Sequence, residues 1–107
     1  MKEWFYLFLA ILFEVMGTTC MKLSHGFSNK WASTLIFISY GLSFFMFTLA
    51  LKRLELSISY AIWAAVGTTA IVIIGFAYFG EPVTAIKIIS ISLIICGVVG
   101  LRLEGTI

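Results

Sequence analysis

Residues 56–80 read LSISYAIWAAVGTTAIVIIGFAYFG, a run of 25 residues without a Lys, Arg, Asp or Glu. A helix crosses the roughly 30 Å hydrocarbon core of a bilayer with about 20 mostly apolar residues. This run is therefore long enough to span a membrane once, and a second uncharged run of similar length covers residues 31–51. Together the two runs predict an integral membrane protein.

The rest of the chain has the same apolar character. Of its 107 residues, 62% are hydrophobic and 11% are charged, and the mean hydropathy is +1.12, which lies outside the range of soluble domains. Turn-forming residues divide the sequence into four predicted helices, at about residues 4–21, 31–51, 57–79 and 85–103. We predict that Ser57 caps the third helix and that Gly80-Glu81-Pro82 ends it. The expected fold is an all-α integral membrane protein with a single four-helix transmembrane domain over residues 1–107.

The first apolar segment resembles a signal peptide only in having Lys2 before it. A signal peptide has a short apolar region that ends in a small-residue cleavage site. Here the apolar stretch continues past Glu14 to Met21 without such a site. We expect this segment to remain in the mature protein as its first helix.

The loop charges bear on the orientation of the chain. An even number of spans places both termini on one side of the membrane, with four cationic residues on that side and three on the other: Lys2, Lys52, Arg53 and Arg102 against Lys22, Lys30 and Lys87. Because cytoplasmic loops normally carry the excess of Lys and Arg, this near balance gives little preference for either orientation. It permits antiparallel association of oppositely inserted copies, and a single, weakly determined orientation fits the count as well.

Glu14 is the one ionisable residue expected near the middle of a span. It lies ten residues after Trp4 and eight before Lys22. A charged group at that depth costs at least about 2.5–3.5 kcal/mol, so such residues usually face a bundle interior or an aqueous cavity and mark a transport path. The alternative is a protonated Glu that only hydrogen-bonds to a neighbouring helix. We interpret Glu14 as a binding site for a proton and for a cationic substrate.

Small residues share the helix face of Glu14. At helical spacing this face contains Leu7, Ala10, Gly17, Thr18 and Met21, and small side chains would leave space beside the carboxylate. We expect Leu7, Ala10, Gly17 and Thr18 to contact the substrate. Gly17 fits close packing between helices equally well.

Aromatic residues recur at helical spacing in the second and third helices. The third helix has Tyr60, Trp63 and Gly67 on one face, and the second has Tyr40, Ser43, Phe44 and Phe47. A Trp inside a membrane needs a partner for its N–H group, and its ring face binds desolvated cations. We expect Tyr60, Trp63, Tyr40, Ser43 and Phe44 to line the substrate site. Ordinary packing is the alternative, and it is the stronger one for Phe44 and Phe47.

The fourth helix has no large aromatic residue and no side chain more polar than Ser between Ser90 and Gly100. Small residues recur in it at Ser92, Cys96 and Gly100, with Gly97 adjacent. Such a surface suits close association of membrane helices. We predict that these four residues form a dimerisation surface, and that Cys20 and Cys96 are packing residues rather than disulfide or metal ligands.

The sequence offers no support for an enzyme. It has no paired nucleophile and base, no metal-ligand cluster and no phosphate-binding loop. We therefore expect no catalytic residue, no metal, no cofactor and no nucleic-acid partner. The expected partners are small cations, protons, the lipid bilayer and a second copy of the chain.

The motifs resemble those of the small multidrug resistance transporters along the whole chain. The resemblance rests on three groups of residues: Glu14-Val15-Met16-Gly17-Thr18-Thr19, then Met21-Lys22-Leu23-Ser24 with Gly26-Phe27, and Tyr60-Ala61-Ile62-Trp63. It implies a bacterial plasma-membrane protein that forms an antiparallel, dual-topology homodimer. In such a dimer, two copies of the membrane glutamate bind either protons or a cationic substrate, which gives coupled antiport by alternating access.

The resemblance also implies roles for single residues. Glu14 matches the carboxylate shared by protons and substrate, Trp63 and Tyr60 match substrate-contacting aromatics, and Tyr40 matches the tyrosine of the second helix. Trp4 stands where relatives often have a tyrosine, and is included among the expected substrate contacts.

Three functions are compatible with the resemblance or with the membrane fold. The family's drug-exporting branch takes quaternary ammonium and aromatic cations, and Met16-Gly17-Thr18 is similar to that branch. Another branch exports guanidinium compounds, and Glu81-Pro82-Val83-Thr84-Ala85 is more similar to it. The third possibility is a non-transporting subunit or one half of a heterodimeric pair, against which the near-balanced loop charges argue.

Overall fold

The computed structural model describes residues 2–104 and shows four α-helices. Their bounds are α1 Lys2–Leu23, α2 Lys30–Ala50, α3 Leu56–Ala77 and α4 Ala85–Glu104. Each is long and apolar enough to cross a membrane, and no strand occurs in the described part of the chain. The predicted all-α class and the four predicted spans are therefore confirmed.

Local hydrogen bonds explain where α2 and α3 begin. The side chain of Asn29 accepts hydrogen bonds from the backbone N–H groups of Trp31 and Ala32, at 3.0 and 3.2 Å, and so caps α2. The prediction that Ser57 caps α3 is wrong. The helix already begins at Leu56, after an extended Glu55 whose side chain makes no capping bond. Ser57 therefore lies inside the first turn of α3.

The α1–α2 loop has an unusual backbone. His25, Gly26 and Phe27 have φ angles of 49°, 69° and 71°, all in the left-handed region, which costs about 1 kcal/mol or more for a residue with a side chain. The buried Ser24 stabilises this loop, since its hydroxyl donates to the carbonyl of Met21 (2.8 Å) and accepts from the N–H of Phe27 (3.2 Å).

The first unit of the chain ends at Arg53 and contains the α1–α2 hairpin. Buried residues recur every three or four positions along both of its helices: Leu7, Ala10, Ile11, Gly17 and Cys20 in α1, and Ala32, Ile36, Ser39, Ser43, Phe47 and Ala50 in α2. Many of these are small, as expected where membrane helices approach closely. One interhelical hydrogen bond reinforces the contact, from the buried Ser43 hydroxyl to the carbonyl of Ala10 at 2.6 Å.

The second unit begins at Leu54 and contains α3 and α4. The connection after α3 folds back on the helix end, because the N–H of Glu81 donates to the carbonyl of Gly75 at 2.9 Å. A Cβ atom at Gly75 would lie 2.9 Å from the carboxyl carbon of Glu81, so a larger residue there would displace the Glu81 side chain. Lys87 Nζ donates to the carbonyl of Pro82 (3.0 Å) and lies 5.5 Å from the centroid of the Phe76 ring. These contacts join the two helix ends.

No residue of α4 between Ala85 and Leu103 is buried. An apolar helix with this exposure needs lipid or another protein surface around it.

Candidate functional site

Glu14 lies where the sequence placed it, near the middle of the membrane span. It is the thirteenth of the 22 residues of α1, and it is half-buried. At 1.5 Å per residue it is roughly 18 Å from the start of the helix and roughly 14 Å from its end. The carboxylate is therefore far from the membrane surfaces at both ends of α1.

A chain of hydroxyl groups leads to the carboxylate. Thr18 Oγ1 donates to Glu14 Oε2 at 2.8 Å, and the same hydroxyl is hydrogen-bonded to the hydroxyl of Tyr40 on α2. A hydroxyl has one hydrogen to donate. Since that of Thr18 points to the carboxylate, Tyr40 is the donor to Thr18. The chain therefore runs from Tyr40 through Thr18 to Glu14, and it places hydrogen-bond donors toward the negative charge.

No basic side chain compensates this charge. Within residues 2–104, Glu14 forms no ion pair with Lys, Arg or His, and the recorded pair joins Glu3 and Arg53 at 3.7 Å near the end of the hairpin. A carboxylate in apolar surroundings is costly unless it is neutralised. Glu14 thus needs either a proton or a cation from outside the described chain.

Gly17 allows Tyr40 to come close to Glu14. A Cβ atom at Gly17 would lie 3.0 Å from two atoms of the Tyr40 ring and 3.2 Å from Cβ of Ser39. The space beside Gly17 is filled by α2, so this glycine serves close helix packing in the structure. Ser39 was not singled out from the sequence, although it lies four residues before Ser43 on the same helix face.

Three other predicted contact residues also lie in the hairpin core. The exposed fractions of Leu7, Ala10 and Ser43 are 2%, 0% and 0%. A substrate would reach these side chains only if the helices moved apart. Their predicted contact with substrate, like that of Gly17, stays a prediction.

Aromatic rings flank the hydroxyl chain in the first unit. The ring of Phe44 is 55% exposed, and its centroid lies 6.0 Å from that of Tyr40. Trp4 is half-buried, ten residues before Glu14 on α1. Tyr40 and Phe44 therefore form an aromatic surface next to the polar group that holds Glu14.

The predicted aromatics of the second unit are also paired. Tyr60 and Trp63 pack edge to face, with centroids 5.9 Å apart and an interplanar angle of 84°. Tyr60 is 61% exposed, whereas Trp63 is half-buried. Next to Tyr60, the buried hydroxyl of Ser59 has no hydrogen-bond partner among the described residues. A buried polar group normally has one.

Comparison with known proteins identifies the family. The model of the family described as Small Multidrug Resistance protein matches residues 2–94. The chain belongs to the small multidrug resistance family. It is 50% identical over 101 residues to the uncharacterized membrane protein YvaE of Bacillus subtilis, covering 94% of this chain and 85% of the relative. It is 41% identical over 103 residues to the quaternary ammonium compound-resistance protein QacG of a Staphylococcus species, covering 96% of both chains. It is also 38% identical over 103 residues to the multidrug resistance protein mmr of Mycolicibacterium paratuberculosis, covering 94% of this chain and 96% of the relative.

Membership of the small multidrug resistance family, together with the four apolar helices, makes the chain a multi-pass bacterial membrane protein. Proteins of this family are transporters, so the chain is a transporter and not an enzyme. Among the described residues, no three His, Cys, Asp or Glu side chains come together as possible metal ligands.

The structure of this small multidrug resistance protein also locates the four predicted dimerisation residues. Ser92, Cys96, Gly97 and Gly100 are all exposed on α4, and the Ser92 hydroxyl bonds to the carbonyl of Ile88 within its own helix (2.9 Å). Cys20 is buried in α1, and both cysteines are free thiols. These four residues of α4 are therefore exposed in the single chain, and their role in association stays a prediction.

Proposed function

We propose that this chain is a proton-coupled antiporter that exports quaternary ammonium and other hydrophobic or aromatic cations by alternating access. Protons and substrate compete for Glu14 in this mechanism. A proton neutralises the carboxylate in one half of the cycle, and the cationic substrate does so in the other.

One observation supports the proposal most directly. Glu14 is a half-buried carboxylate in the middle of a membrane helix, supplied with a hydrogen-bond donor by Thr18 and with no described cation paired to it. A permanent structural ion pair would prevent exchange, whereas an uncompensated carboxylate binds whichever cation is available.

The surroundings of Glu14 favour a substrate with apolar surface. The hydroxyl of Tyr40 belongs to the chain that leads to Glu14, and the Tyr40 ring lies 6.0 Å from that of Phe44. In the second unit, considered by itself, the exposed ring of Tyr60 packs on Trp63. Ring faces attract cations that shed water easily, as quaternary ammonium ions do. Guanidinium instead needs several hydrogen-bond acceptors around its N–H groups. The names of QacG and mmr, which refer to quaternary ammonium compounds and to multiple drugs, agree with this preference.

The substrate class is tested by recording transport currents from the reconstituted protein on a solid-supported membrane. A tetraalkylammonium ion, an aromatic cation and guanidinium are applied in turn to the same sample. We expect currents with the first two that exceed the guanidinium current by about tenfold, which corresponds to about 1.4 kcal/mol and lies within the range of about 0.5–2 kcal/mol for a cation–π contact. A guanidinium current alone would establish the guanidinium exporter, and no current from the protein alone would favour a heterodimeric pair.

We propose further that the transporter is an antiparallel homodimer joined through α4. The support comes from the absence of any buried residue on α4 between Ala85 and Leu103, from the recurrence of small residues at Ser92, Cys96 and Gly100, and from the near-balanced loop charges. Small residues let two membrane helices approach closely.

Disulfide cross-linking distinguishes this arrangement from a parallel one. If two antiparallel α4 helices cross at Cys96, Ser92 of one copy lies beside Gly100 of the other, while two copies of Ser92 are about 12 Å apart along the axis. A disulfide requires Cα atoms about 4.4–6.8 Å apart. In a chain with Cys20→Ala and Cys96→Ala, we therefore expect Ser92→Cys to cross-link with a co-expressed Gly100→Cys chain and not with itself.

A parallel pair would give the opposite cross-linking pattern. If neither combination cross-links while exposed Cys96 of the unmodified chain does, the crossing point lies elsewhere on α4. A chain that never cross-links with itself in any of these forms would contradict the homodimer.

A further inference from the structure

The two ends of the α1–α2 hairpin differ in whether an acidic residue accompanies their cations. At the loop end, Lys22 in the last turn of α1 and Lys30 at the start of α2 are both exposed. The sequence contains no Asp or Glu from residue 15 to residue 54, so these lysines have no acidic neighbour along the hairpin. The opposite end is mixed, since Arg53 is paired there with Glu3.

Lys30 occupies a position that is unfavourable for a cation. As the first residue of α2 it lies at the positive end of the helix dipole, where negative charge is preferred. Asn29 caps the first-turn N–H groups of Trp31 and Ala32, and its neutral side chain adds no negative charge near Lys30. An external anion near Lys30 would remove the unfavourable interaction.

The ring of Phe27 packs against α2. It stacks on the ring of Phe37, with centroids 6.2 Å apart and an interplanar angle of 18°. Phe37 lies seven residues into α2 beyond Lys30, which places it roughly 10 Å along the helix axis. The left-handed backbone from His25 to Phe27 turns the chain so that this ring descends from the loop beside α2. The ring is nonetheless 60% exposed.

Trp31 is a further exposed aromatic residue at the loop end of the hairpin. Its side chain is 82% exposed at the second residue of α2. Exposed Trp side chains are typical of the boundary between headgroups and acyl chains. Lysines at headgroup level beside aromatic rings that reach below it match the chemistry of an anionic phospholipid, whose phosphate meets the cations and whose chains meet the rings.

We propose that Lys22, Phe27, Lys30 and Trp31, here called the basic loop end, bind the headgroups of anionic phospholipids. The positive charges disfavour this surface as an entry point for cationic substrates, and the aromatic rings distinguish it from a site for a free phosphate ion. The inference depends on the membrane fold and does not depend on the proposed transport function.

The test measures lipid selectivity with the full chain in vesicles. Spin-labelled phosphatidylglycerol and phosphatidylcholine are compared by electron paramagnetic resonance in phosphatidylcholine vesicles. In the variant with Lys22→Gln and Lys30→Gln, we expect the preference for phosphatidylglycerol to fall by up to about fivefold for each lysine removed, the factor that one lysine near an anionic surface contributes. The matched control is the variant with Lys2→Gln and Lys52→Gln, which removes the same charge from exposed positions at the other end of the hairpin. Its selectivity should fall clearly less than that of the first variant, because Glu3 beside Arg53 already opposes the binding of an anionic headgroup at that end.

Equal loss of selectivity in both double variants would show an unspecific charge effect and overturn the proposal. An unchanged preference after loss of Lys22 and Lys30 would overturn it as well. High salt provides a measurement on the unmodified chain that does not depend on any variant folding. The preference for phosphatidylglycerol should shrink toward one if the contact is electrostatic, and a preference that resists salt contradicts the proposal.

The role of Phe27 is tested with a second pair of variants. Phe27→Gly and His25→Gly each relieve a positive φ angle, and only the first removes the ring that packs against α2. We expect His25→Gly to keep or raise the thermal unfolding midpoint in vesicles that contain phosphatidylglycerol, and Phe27→Gly to lower it more there than in detergent micelles. An equal decrease of the unfolding midpoint in both environments would mean that the Phe27 ring contacts only Phe37. An increase of the midpoint in vesicles would mean that contact of the ring with lipid does not stabilise the fold.

Discussion

Transport of every cationic substrate is expected to fall to the level of protein-free vesicles when Glu14 is replaced by Gln. The amide has the shape of the carboxylic acid, and one of its atoms can still accept the hydrogen bond from Thr18, so the hairpin should fold as before. Unlike the carboxyl group, the amide has no titratable proton and never carries a negative charge. Uptake driven by a pH gradient into vesicles measures the loss, while circular dichroism and size-exclusion chromatography check that the fold is retained.

Glu55→Gln is the matched control for this experiment. Glu55 is exposed before α3, and its side chain makes no capping hydrogen bond, so the same chemical change occurs there outside the hairpin core. We expect its transport rate to stay within about twofold of the unmodified chain, as is usual for a surface substitution away from special contacts. Proton-driven uptake that survives Glu14→Gln would contradict the central role of Glu14.

The sequence was most informative about the helices. Their number and their bounds to within two residues follow from the lengths of the uncharged runs, because the bilayer sets the length of a span. The start of α3 was less predictable. Ser57 is a good capping residue by type, but the backbone becomes helical directly after Glu55. Nothing in the sequence around Ser57 requires Ser57 itself to be extended.

Part of the site follows from local spacing and part does not. Thr18 lies four residues after Glu14, so their contact along one helix face could be predicted. The bond from Thr18 to Tyr40 joins residues 22 positions apart, and it depends on how closely α1 and α2 pack. Gly17 fitted both a cavity and a packing contact in the sequence; the structure shows the Tyr40 ring packed against it, and the contact of Gly17 with substrate stays a prediction.

The loop between α1 and α2 shows a different limit of sequence reasoning. A glycine at position 26 is compatible with a left-handed backbone, but a phenylalanine at position 27 is not expected there. Its conformation becomes intelligible only once the ring of Phe37 and the hydroxyl of Ser24 are seen to hold it. Such a strained residue is a reason to look for a function, here contact with lipid.

Competition between protons and substrate predicts how cation binding depends on pH. A cation binds the ionised form of Glu14, and a protonated Glu14 must lose its proton first. Where most of the carboxyl groups are protonated, one proton is released for each cation bound, and the affinity should rise about tenfold per pH unit. At higher pH the carboxyl groups are already ionised, so the affinity should become constant and the release of protons should cease.

Titration calorimetry with a tetraalkylammonium ion measures both quantities on one sample. Repeating the titration in buffers with different ionisation enthalpies gives the number of protons released, and repeating it across pH gives the change in affinity. The Glu14→Gln variant should show neither proton release nor pH dependence, whereas Glu55→Gln should show both unchanged.

Binding that is independent of pH between roughly 6 and 9, without proton release, would mean that the cation does not displace a proton from Glu14. The membrane fold and the family would stand in that case, and the coupling of transport to protons would have to involve another residue.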